Sequence, residues 1–403
     1  MGDLVLRRAT LADGSSADVR IRAGRIVDVD ASGASPVAGD DDNDVQDLAG
    51  YLLLVAAVEP HAHLDKAFLA DVVTNETGDL LGAIRAMEAA RDQLHVEETL
   101  ERSLRAAWLL AANGVGVVRS HADTTVDNGL TSVEALVRLK SLVADVIDVE
   151  IVALCGWPVV GQAGAAQVEL LHAALDAGAD LVGGCPHLEE AGTRAATEML
   201  LAVASDRGVG VDLHTDETLD ASVLGLAELA ELVTTTGFSH PVTASHCVSL
   251  GVQAPDRQRT VAEAVAAAGI SVVALPATNL YLQGRGHQQA MPRGVTAVAA
   301  LMAAGANVAA GADNLQDPFN PLGRACPLET AGLMTMTAHV PPVDAWSMVT
   351  DAARLALGRE IVTIRRGAPA DLLAVRADSL RQAIAFGPAD RHVWHHGRPV
   401  PRP

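Results

Sequence analysis

Eight short apolar runs, separated by alanine-rich segments with a helical repeat, fill the sequence between its two ends. This alternation is typical of successive strand–helix units and of a parallel sheet. The runs are Leu53 to Pro60, Val115 to His121, Val149 to Cys155, Leu181 to Gly184, Val209 to His214, Val242 to His246, Ile270 to Leu275 and Asn307 to Asp313. The helical segments include Val96 to Asn113, Ser132 to Val146, Ala165 to Gly178, Thr193 to Gly208 and Arg257 to Gly269.

Eight such units within about 250 residues match the length of a (β/α)8 TIM barrel. The alternative is an open, doubly wound sheet, which would need a glycine-rich, phosphate-binding turn after its first strand. Here the first run is followed by His61 and His63 instead. The sequence therefore predicts an α/β fold, with a TIM barrel at residues 55–354.

Both ends of the chain carry short β-like runs, broken by glycine and aspartate, and no helical repeat is legible at the N-terminal end. The N-terminal runs are Leu4 to Arg7, Asp18 to Ile21 and Gly24 to Val29, followed by an acidic loop from Asp40 to Asp44. The C-terminal runs are Asp371 to Val375 and His392 to Trp394. We predict that residues 1–54 and 355–403 together form a small β-sandwich domain.

Acidic residues outnumber basic ones, 50 against 29, which gives a formal net charge of −21. Because such a surface repels nucleic-acid phosphates and anionic membranes, we expect no nucleic-acid or membrane partner, and a small ligand that is uncharged or cationic. Neither a signal-peptide pattern nor a run of about 18 apolar residues occurs. The cysteines form no C-x-x-C pair, which favours the reducing cytoplasm. They are Cys155, Cys185, Cys247 and Cys326.

Two histidines follow the first run, in the segment Glu59-Pro60-His61-Ala62-His63. Since side chains alternate along a strand, His61 and His63 project from the same face. Two imidazoles on one face suit a metal ion, although histidines also pair by chance. Their place at the carboxyl end of the first barrel strand favours the metal, because barrels gather their active-site residues at that end.

Polar side chains end three further runs in the same way. His214 closes the fifth run and is followed by Glu217, His246 closes the sixth, and Asp313 closes the eighth. Histidines of an ordinary core would lie at scattered depths, whereas these lie where the loops of a barrel converge. Histidine nitrogens together with a carboxylate oxygen favour Zn²⁺ or Fe²⁺ over Mg²⁺ or Ca²⁺.

Three more polar residues near strand ends keep two interpretations each. His121 and Asp123 end the second run, either as functional groups of the site or as a pair that supports a metal ligand. His187 follows the fourth run, either as a functional group or as part of a pocket wall. The segment His187-Leu188-Glu189 also matches half of the zinc nucleoside-deaminase signature, but the required P-C-x-x-C partner is absent.

With these motifs in their order, the chain resembles the amidohydrolase superfamily, and within it the cytosine deaminase-like branch that includes N-isopropylammelide amidohydrolase. The resemblance rests on the segments Val58 to Lys66, Leu213 to Glu217, Thr243 to His246, Leu282 to Arg285, Asp313-Asn314 and Asp317-Pro318. It implies a TIM barrel flanked by a β-sandwich from both termini, and a homo-oligomer.

The resemblance also implies roles for individual residues. One divalent metal ion, zinc or iron, would be bound by His61, His63, His214 and Asp313, with Asp313 also taking part in catalysis. Glu217 would carry protons, and His246 would orient the attacking water. The alternative for Glu217 is a solvated loop carboxylate.

Two departures from the cytosine deaminase pattern bear on the substrate. Those enzymes carry a Phe-Pro-Gln segment after the third strand and a second aspartate after the metal-binding one. This chain has Leu154-Cys155-Gly156-Trp157-Pro158 and Asn314 in those places. Because a site discriminates strongly through the polar edges that it pairs, we expect poor activity on cytosine.

The candidates for substrate contact are Gln283, Asn314, Trp157 and Lys66. Gln283 could bond to a ring amide, Trp157 could stack on a planar ring, and Lys66 could touch a substrate oxygen. A surface salt bridge is the alternative for Lys66, and a core filler is the alternative for Trp157. Arg285 is expected to fix a loop.

The leading prediction is a metal-dependent hydrolase that removes an amino or alkylamino group from a nitrogen heterocycle related to pyrimidines or triazines. The alternative within enzymes is hydrolysis of a cyclic or linear amide by the same activated water. The third hypothesis is a non-catalytic barrel scaffold, which the complete set of ligand candidates disfavours.

Overall fold

The computed structural model describes residues 3–32 and 44–401, so the predicted acidic loop lies outside the described residues except for Asp44. The strands are β1 (Leu4–Thr10), β2 (Ser16–Arg22), β3 (Arg25–Ala31), β4 (Asp44–Asp47), β5 (Leu52–Val55), β6 (Ala57–Ala62), β7 (Val115–Thr124), β8 (Asp148–Cys155), β9 (Leu181–Gly184), β10 (Val211–Thr215), β11 (Val242–His246), β12 (Ser271–Ala274), β13 (Val308–Ala310), β14 (Leu372–Val375), β15 (Arg391–His395) and β16 (Arg398–Pro399).

The helices are α1 (Leu80–Ala90), α2 (Val96–Ala112), α3 (Thr131–Leu142), α4 (Ala165–Ala177), α5 (Thr193–Arg207), α6 (Gly225–Thr236), α7 (Val248–Gly251), α8 (Pro255–Ala267), α9 (Pro276–Leu282), α10 (Val298–Ala303), α11 (Pro327–Ala338), α12 (Pro342–Met348), α13 (Asp351–Ala356) and α14 (Leu380–Phe386). Two short 3-10 helices cover Arg91–Gln93 and Pro186–Leu188.

Strands β6 to β13 lie side by side in chain order, and every neighbouring pair is parallel. The sheet closes on itself where Ala62 pairs with Asp313, whose amide donates to the carbonyl of His61 at 3.0 Å. We call this closing edge the β13–β6 seam. The predicted (β/α)8 barrel is therefore confirmed, and it places the ends of all eight strands in one ring.

The first predicted strand was wrong in its extent. The run Leu53 to Pro60 spans two strands, β5 of the terminal sheet and β6 of the barrel. The change of sheet takes place at Ala56, whose amide donates to the carbonyl of Asp371. No glycine or proline marks this change in the sequence, because both strands are buried and read as one apolar run.

Helix α2 shows why the alanine-rich segments cover the barrel. Leu100, Ala107 and Leu110 lie on one face and are buried, while Glu101 lies on the opposite face and is exposed. Full burial of each leucine contributes about 1.5–3 kcal/mol. The helical period thus places an apolar stripe against the strands and leaves charges in water.

The two ends of the chain build one hydrogen-bonded sheet, in the order β16-β15-β14-β5-β1-β2-β3, with β4 also paired to β1. Its apolar core includes Leu6, Val19, Leu53 and Trp394. The predicted small β domain formed by both termini is confirmed, while its boundaries at residues 54 and 355 stay a prediction. Within the described ranges, no helix is long and apolar enough to cross a membrane.

Candidate active site

The side chains of His61, His63, His214 and Asp313 converge at the carboxyl ends of the barrel strands, and all four are buried. Nε2 of His63 lies 3.2 Å from Nε2 of His214 and 3.3 Å from Oδ1 of Asp313. The same oxygen of Asp313 lies 3.7 Å from Nε2 of His61. One carboxylate oxygen and three imidazole nitrogens therefore face a common point, which we call the His/Asp cluster.

Local backbone geometry aims these side chains. His61 lies in β6 and His63 directly follows it, two residues on, so that both rings point into the barrel. His214 lies in β10. Asp313 has a left-handed φ of +64°, a conformation that few non-glycine residues adopt and that often occurs at functional sites.

Several buried polar atoms of the cluster lack any hydrogen-bond partner, including Nε2 of His61 and both carboxylate oxygens of Asp313. Burying such groups unpaired is costly, which suits a cation that they would share. Burial also lowers the pKa of His61 and of His214 well below the usual range, which keeps their ring nitrogens neutral and able to bind a metal. The cluster fits a divalent ion.

A chain of hydrogen bonds runs from the cluster into the barrel. Nδ1 of His61 lies 2.9 Å from Oγ of Ser245, which donates to Oδ1 of Asp212 at 3.0 Å. Nη1 of Arg119 donates to the other oxygen of Asp212 at 2.9 Å. Since the Ser245 proton goes to Asp212, its oxygen accepts from Nδ1–H of His61, and Nε2 of His61 keeps its lone pair for the cluster.

His121 and Asp123, which the sequence analysis treated as a pair, contact different groups. The His121 ring packs against the His61 ring with centroids 4.0 Å apart, and neither of its nitrogens has a hydrogen-bond partner. Asp123 accepts from Nζ of Lys66 at 2.6 Å and from Nη2 of Arg91 at 2.9 Å. Although burial acts to raise the pKa of Asp123, these two cations hold it well below the usual range.

Glu217 is buried beside the cluster and lines the cavity, so the alternative of a solvated loop carboxylate is wrong. Burial, with a contribution from Asp313, raises the pKa of Glu217 well above its usual value. Its Oε1 lies 3.6 Å from Nδ1 of His246. The carboxylate thus takes up a proton more readily than an exposed glutamate does.

The tautomer of His246 follows from its neighbours. Nδ2 of Asn279 donates to the carbonyl of Gly294 at 2.9 Å, so Oδ1 of Asn279 is the acceptor facing Nδ1 of His246, also at 2.9 Å. His246 therefore carries its proton on Nδ1 and keeps a lone pair on Nε2, which has no partner. A left-handed φ of +67° at this residue aims the ring.

A cavity of about 470 Å³ opens from the cluster toward helix α1. Near the cluster its wall is polar and includes Lys66, His187, His214 and Glu217. The rest of the wall mixes apolar and charged side chains. Its apolar part is formed by Leu80, Ile84 and Met87 of α1 with Val126, Trp157 and Phe319, and its charged part by Glu88, Arg91 and Asp127. Its volume lies in the range of small-molecule sites.

The four residues predicted to contact a substrate have different positions. Lys66 lines the cavity but is buried in an ion pair with Asp123, so the surface salt bridge is wrong. Trp157 lines the cavity with 38% of its surface exposed, so it is not a core filler. Asn314 lines the cavity, yet its amide bonds to Thr278 and Asp317.

The fourth candidate, Gln283, is not among the described residues that line the cavity. Its side-chain amide donates to the main-chain carbonyl of Glu217 at 3.1 Å. Gln283 thus holds the backbone of Glu217. The side chain of Arg285 donates to the carbonyl of Tyr281 and stacks on the Tyr281 ring, as expected of a residue that fixes a loop.

Sequence reasoning gave no role to Glu59 or Gln167, and it left the role of His187 open. Glu59 accepts from the amides of His61 and Ala312 and so joins the two strands of the β13–β6 seam; burial raises its pKa to about 8. Gln167 of α4 enters the cavity wall beside Gly156 and donates to the carbonyl of Thr124. His187 lines the cavity, and its Nδ1 lies 3.1 Å from the carbonyl oxygen of His214.

Sequence reasoning also gave no role to Asp212 and Arg119, although the sequence carries a signal for both. Asp212 lies two residues before His214 on the same face of β10, and Arg119 lies two residues before His121 on β7. Polar residues at alternate strand positions that point into a barrel must be paired there. No comparable signal exists for Gln167, which reaches the cavity from a helix.

Comparisons with known proteins identify the family of this chain. The amidohydrolase family matches residues 69–401 of the chain. A pterin deaminase of Rhizobium rhizogenes is 32% identical over 395 residues, covering 96% of this chain and 88% of that protein. The N-isopropylammelide isopropyl amidohydrolase of Pseudomonas sp. (strain ADP) is 24% identical, covering 95% and 93% of the two chains.

Among solved structures, a 5-methylcytosine deaminase from Klebsiella pneumoniae is 29% identical with a TM-score of 0.88, covering 100% of this chain and 98% of that one. The predictions of a hydrolase that acts on carbon–nitrogen bonds and of its superfamily are confirmed. With a family match over most of its length and a histidine–aspartate cluster at the mouth of its barrel, this chain belongs to the amidohydrolase family.

Proposed function

We propose that this protein is a metal-dependent deaminase that replaces an amino group on a nitrogen heterocycle with oxygen from water. The observation that carries the proposal is Glu217, a buried carboxyl with a raised pKa that lines the cavity together with His63, His214 and Asp313 of the His/Asp cluster. A carboxylate with a raised pKa accepts a proton more readily than an ordinary carboxylate, and it can then donate that proton within the same catalytic cycle. The relatives named above support deamination over other hydrolyses.

His61, His63, His214 and Asp313 would hold a single divalent ion, zinc or iron. When bound, such an ion lowers the pKa of a coordinated water toward about 7. Neutral imidazoles and an unpaired carboxylate are the protonation states that this binding needs. Zinc and iron both suit these four ligands, so the activity of protein loaded with each metal decides between them.

The protein groups then supply the proton transfers. Nε2 of His246 accepts a hydrogen bond from the attacking water and orients it. Glu217 receives a proton of this water and passes it to the leaving nitrogen. The carbon–nitrogen bond breaks and ammonia departs. The second proton of the water ends on the neighbouring ring nitrogen, and the ring carbon keeps the oxygen as a carbonyl, so that one water is consumed for each ammonia released.

The cavity favours a substrate larger than a single small ring. Its wall includes the planar rings of Trp157 and Phe319 and the apolar side chains of Ile84 and Met87, in addition to the polar groups at the cluster. Together with the similarity to a pterin deaminase, this favours an aminated two-ring heterocycle of the pterin type. Aminated pyrimidines and triazines are the next class, and cytosine is expected to be poor.

The test is ammonia release by protein loaded with Zn²⁺ or Fe²⁺, across pterins, purines, pyrimidines and triazines. Product mass separates the mechanisms, because deamination exchanges NH2 for OH whereas amide or ring hydrolysis adds water. We expect activity in the wild type and loss of it in Glu217→Gln. No product from any class with fully loaded protein would favour the scaffold hypothesis.

Two further expectations stay with this proposal. The four cysteines are unpaired, which agrees with a reducing compartment, and we propose that the reaction takes place in the cytoplasm. A homo-oligomer is expected from the family resemblance, and its measurement by light scattering is independent of the activity.

A further inference from the structure

A second group of histidine and carboxylate side chains lies at the other end of the barrel, where the terminal sheet meets β8. It consists of Asp148, Asp371, His395 and His396. Asp148 is the first residue of β8, whereas Cys155, which lines the cavity, is the last. Seven residues of extended strand separate the two ends by about 23 Å. We call this group the lower cluster.

Backbone geometry brings its two adjacent histidines together. Neighbouring side chains on a strand normally point to opposite faces. His395 ends β15, and His396 has a left-handed φ of +48°, which is uncommon for a residue with a side chain. The two rings consequently lie on the same side, with centroids 4.0 Å apart.

The two carboxylates lie on opposite edges of this ring pair. Oδ1 of Asp371 is 3.4 Å from Nδ1 of His395 and 3.5 Å from Nδ1 of His396. Oδ1 of Asp148 is 3.8 Å and 3.9 Å from the corresponding Nε2 atoms. In metal sites, a carboxylate commonly holds the nitrogen of a histidine that faces away from the ion. Asp371 occupies this position for both rings.

Both carboxylates are themselves oriented. Oδ1 of Asp371 accepts the main-chain amide of His396 at 2.7 Å. Oδ2 of Asp148 accepts Nη1 of Arg359 at 2.9 Å, which leaves Oδ1 of Asp148 directed at the histidines. The surroundings thus fix one oxygen of each carboxylate toward the ring pair.

His395 supplies an independent sign that something is missing. It is 2% exposed, and its nearest carboxylate oxygens, 3.4 Å from Nδ1 and 3.8 Å from Nε2, form ion-pair contacts without hydrogen-bond geometry. A buried imidazole with only such long contacts is poorly satisfied. A cavity of about 590 Å³, lined in part by His395, His396 and Arg398, opens beside it, and 55% of the His396 side chain is exposed. An ion from solvent can therefore reach the lower cluster.

We propose that the lower cluster is a second, structural metal site that takes a divalent transition ion such as Zn²⁺. Its protein ligands are Nε2 of His395, Nε2 of His396 and Oδ1 of Asp148, with water completing the shell, and Asp371 accepts from both Nδ1–H groups. In a tetrahedral zinc site neighbouring ligand atoms lie about 3.4 Å apart, so the observed distances need to close by about 0.5 Å. The ion joins β8 of the barrel to β15 of the terminal sheet.

The competing account is an ion-pair cluster without metal, in which a protonated histidine and Arg359 neutralise Asp148 and Asp371. The two accounts differ in zinc binding. Because the lower cluster is remote from the cavity, its metal is also separable from that of the His/Asp cluster, and the proposal does not depend on the proposed function.

The test is zinc titration of the metal-stripped, full-length protein, followed by competition with a chromophoric chelator and by elemental analysis after desalting. His396→Gln removes an exposed ligand, which leaves folding intact, and Asp148→Asn is the second ligand variant. His240→Gln is the matched control, since His240 precedes β11 at the same end of the barrel and is outside the lower cluster.

We expect the wild type and His240→Gln to bind one more zinc per chain than His396→Gln or Asp148→Asn. Asp371→Asn should weaken this zinc by about 10–100-fold. His63→Ala removes a ligand of the His/Asp cluster only. Adding His396→Gln to this variant must again remove one zinc per chain, which shows that the two metal sites are independent. Equal zinc stoichiometry and affinity in the wild type and His396→Gln would overturn the proposal in favour of the ion-pair cluster.

Discussion

The hydrogen bond between His61 and Ser245 decides which ring nitrogen of His61 faces the His/Asp cluster. Ser245 receives Nδ1–H of His61 and gives its own proton to Asp212, whose charge Arg119 balances. Such partners behind a ligand fix its tautomer and ring orientation, and their loss weakens metal binding by about 10–100-fold. We therefore propose that Ser245 and Asp212 would position His61 for the metal.

We therefore expect Ser245→Ala to bind zinc at the His/Asp cluster about 10–100-fold more weakly than the wild type. Chelator competition in a His396→Gln background measures this site alone. Thr243→Val is the matched control: Thr243 is a buried hydroxyl two residues earlier on the same face of β11, and it contacts Arg119 without reaching His61. Equal weakening by both variants would show a general packing defect instead.

Glu217 is assigned to proton transfer, and this role separates from metal binding. Glu217→Gln keeps the size of the side chain but cannot carry the proton, so kcat should fall by about 10²–10⁴-fold. Zinc affinity should stay unchanged. Glu88→Gln is the control, because Glu88 lines the same cavity at its outer end. A loss of zinc affinity in Glu217→Gln would show that the carboxyl group supports the metal.

At the scale of elements, helix α1 connects stability to substrate binding. Asp79 caps its N-terminus by accepting from the amide of Gly82, and Ile84 and Met87 form part of the outer cavity wall. Loss of an N-cap costs about 1 kcal/mol. Asp79→Ala should therefore destabilise the protein by about that amount and raise KM with little change in kcat, as steady-state kinetics can measure.

The same cap has a defined pH dependence. Hydrogen bonds from Thr77 and from the Gly82 amide lower the pKa of Asp79 below its usual 3.8. A lowered pKa means that the stabilisation is present above pH 3.8 and fades as pH falls through the folded-state value. Urea unfolding should show the stability gap between the wild type and Asp79→Ala narrowing below about pH 4. Asp79→Asn, which retains a cap, should lie near the wild type at pH 7.

Strands that sit between clear breaks could be predicted from the sequence. Leu181–Gly184 and Val242–His246 were placed residue for residue, since glycine, proline or polar residues flank both runs. The predicted strand from Leu53 to Pro60 was wrong because burial is nearly continuous across the change of sheet at Ala56, with only Val55 half-buried. The apolar pattern of a sequence indicates which residues are buried, but it does not indicate to which sheet a buried strand belongs.

The residues of the candidate site also differ in how well the sequence predicts them. His61, His214 and Asp313 were predictable because each ends an apolar strand, and strand ends of a barrel meet at one face. Gln167 and Arg91 reach the cavity from a helix and from a 3-10 helix, so only the folded chain brings them there. Gln283 was assigned to the substrate from its motif, yet its amide is bonded to the Glu217 carbonyl.

For the whole molecule, the β13–β6 seam is where the barrel is held by the fewest backbone bonds. Seven parallel pairings join β6 through β13 in order, whereas the seam has one bridge, between Ala62 and Asp313, and the carboxyl of Glu59. His61 and His63 lie on one side of it and Asp313 on the other. An ion in the His/Asp cluster would therefore bond across the seam and close the barrel.

Removal of this ion should accordingly loosen the seam and lower the melting temperature. An ion present at 100 times its Kd stabilises the folded state by about 2.7 kcal/mol. Calorimetry of His396→Gln protein, stripped and then reloaded with zinc, isolates the contribution of the His/Asp cluster.

Hydrogen exchange should speed up most at the amides of Ala312 and Asp313, which bond to Glu59 and His61 across the seam. His63→Ala, which leaves the seam in place but lacks a ligand, should gain little from zinc. If stripped and loaded protein melted at the same temperature with the same exchange at these amides, the ion would have no part in closing the barrel, and its role would be confined to the chemistry.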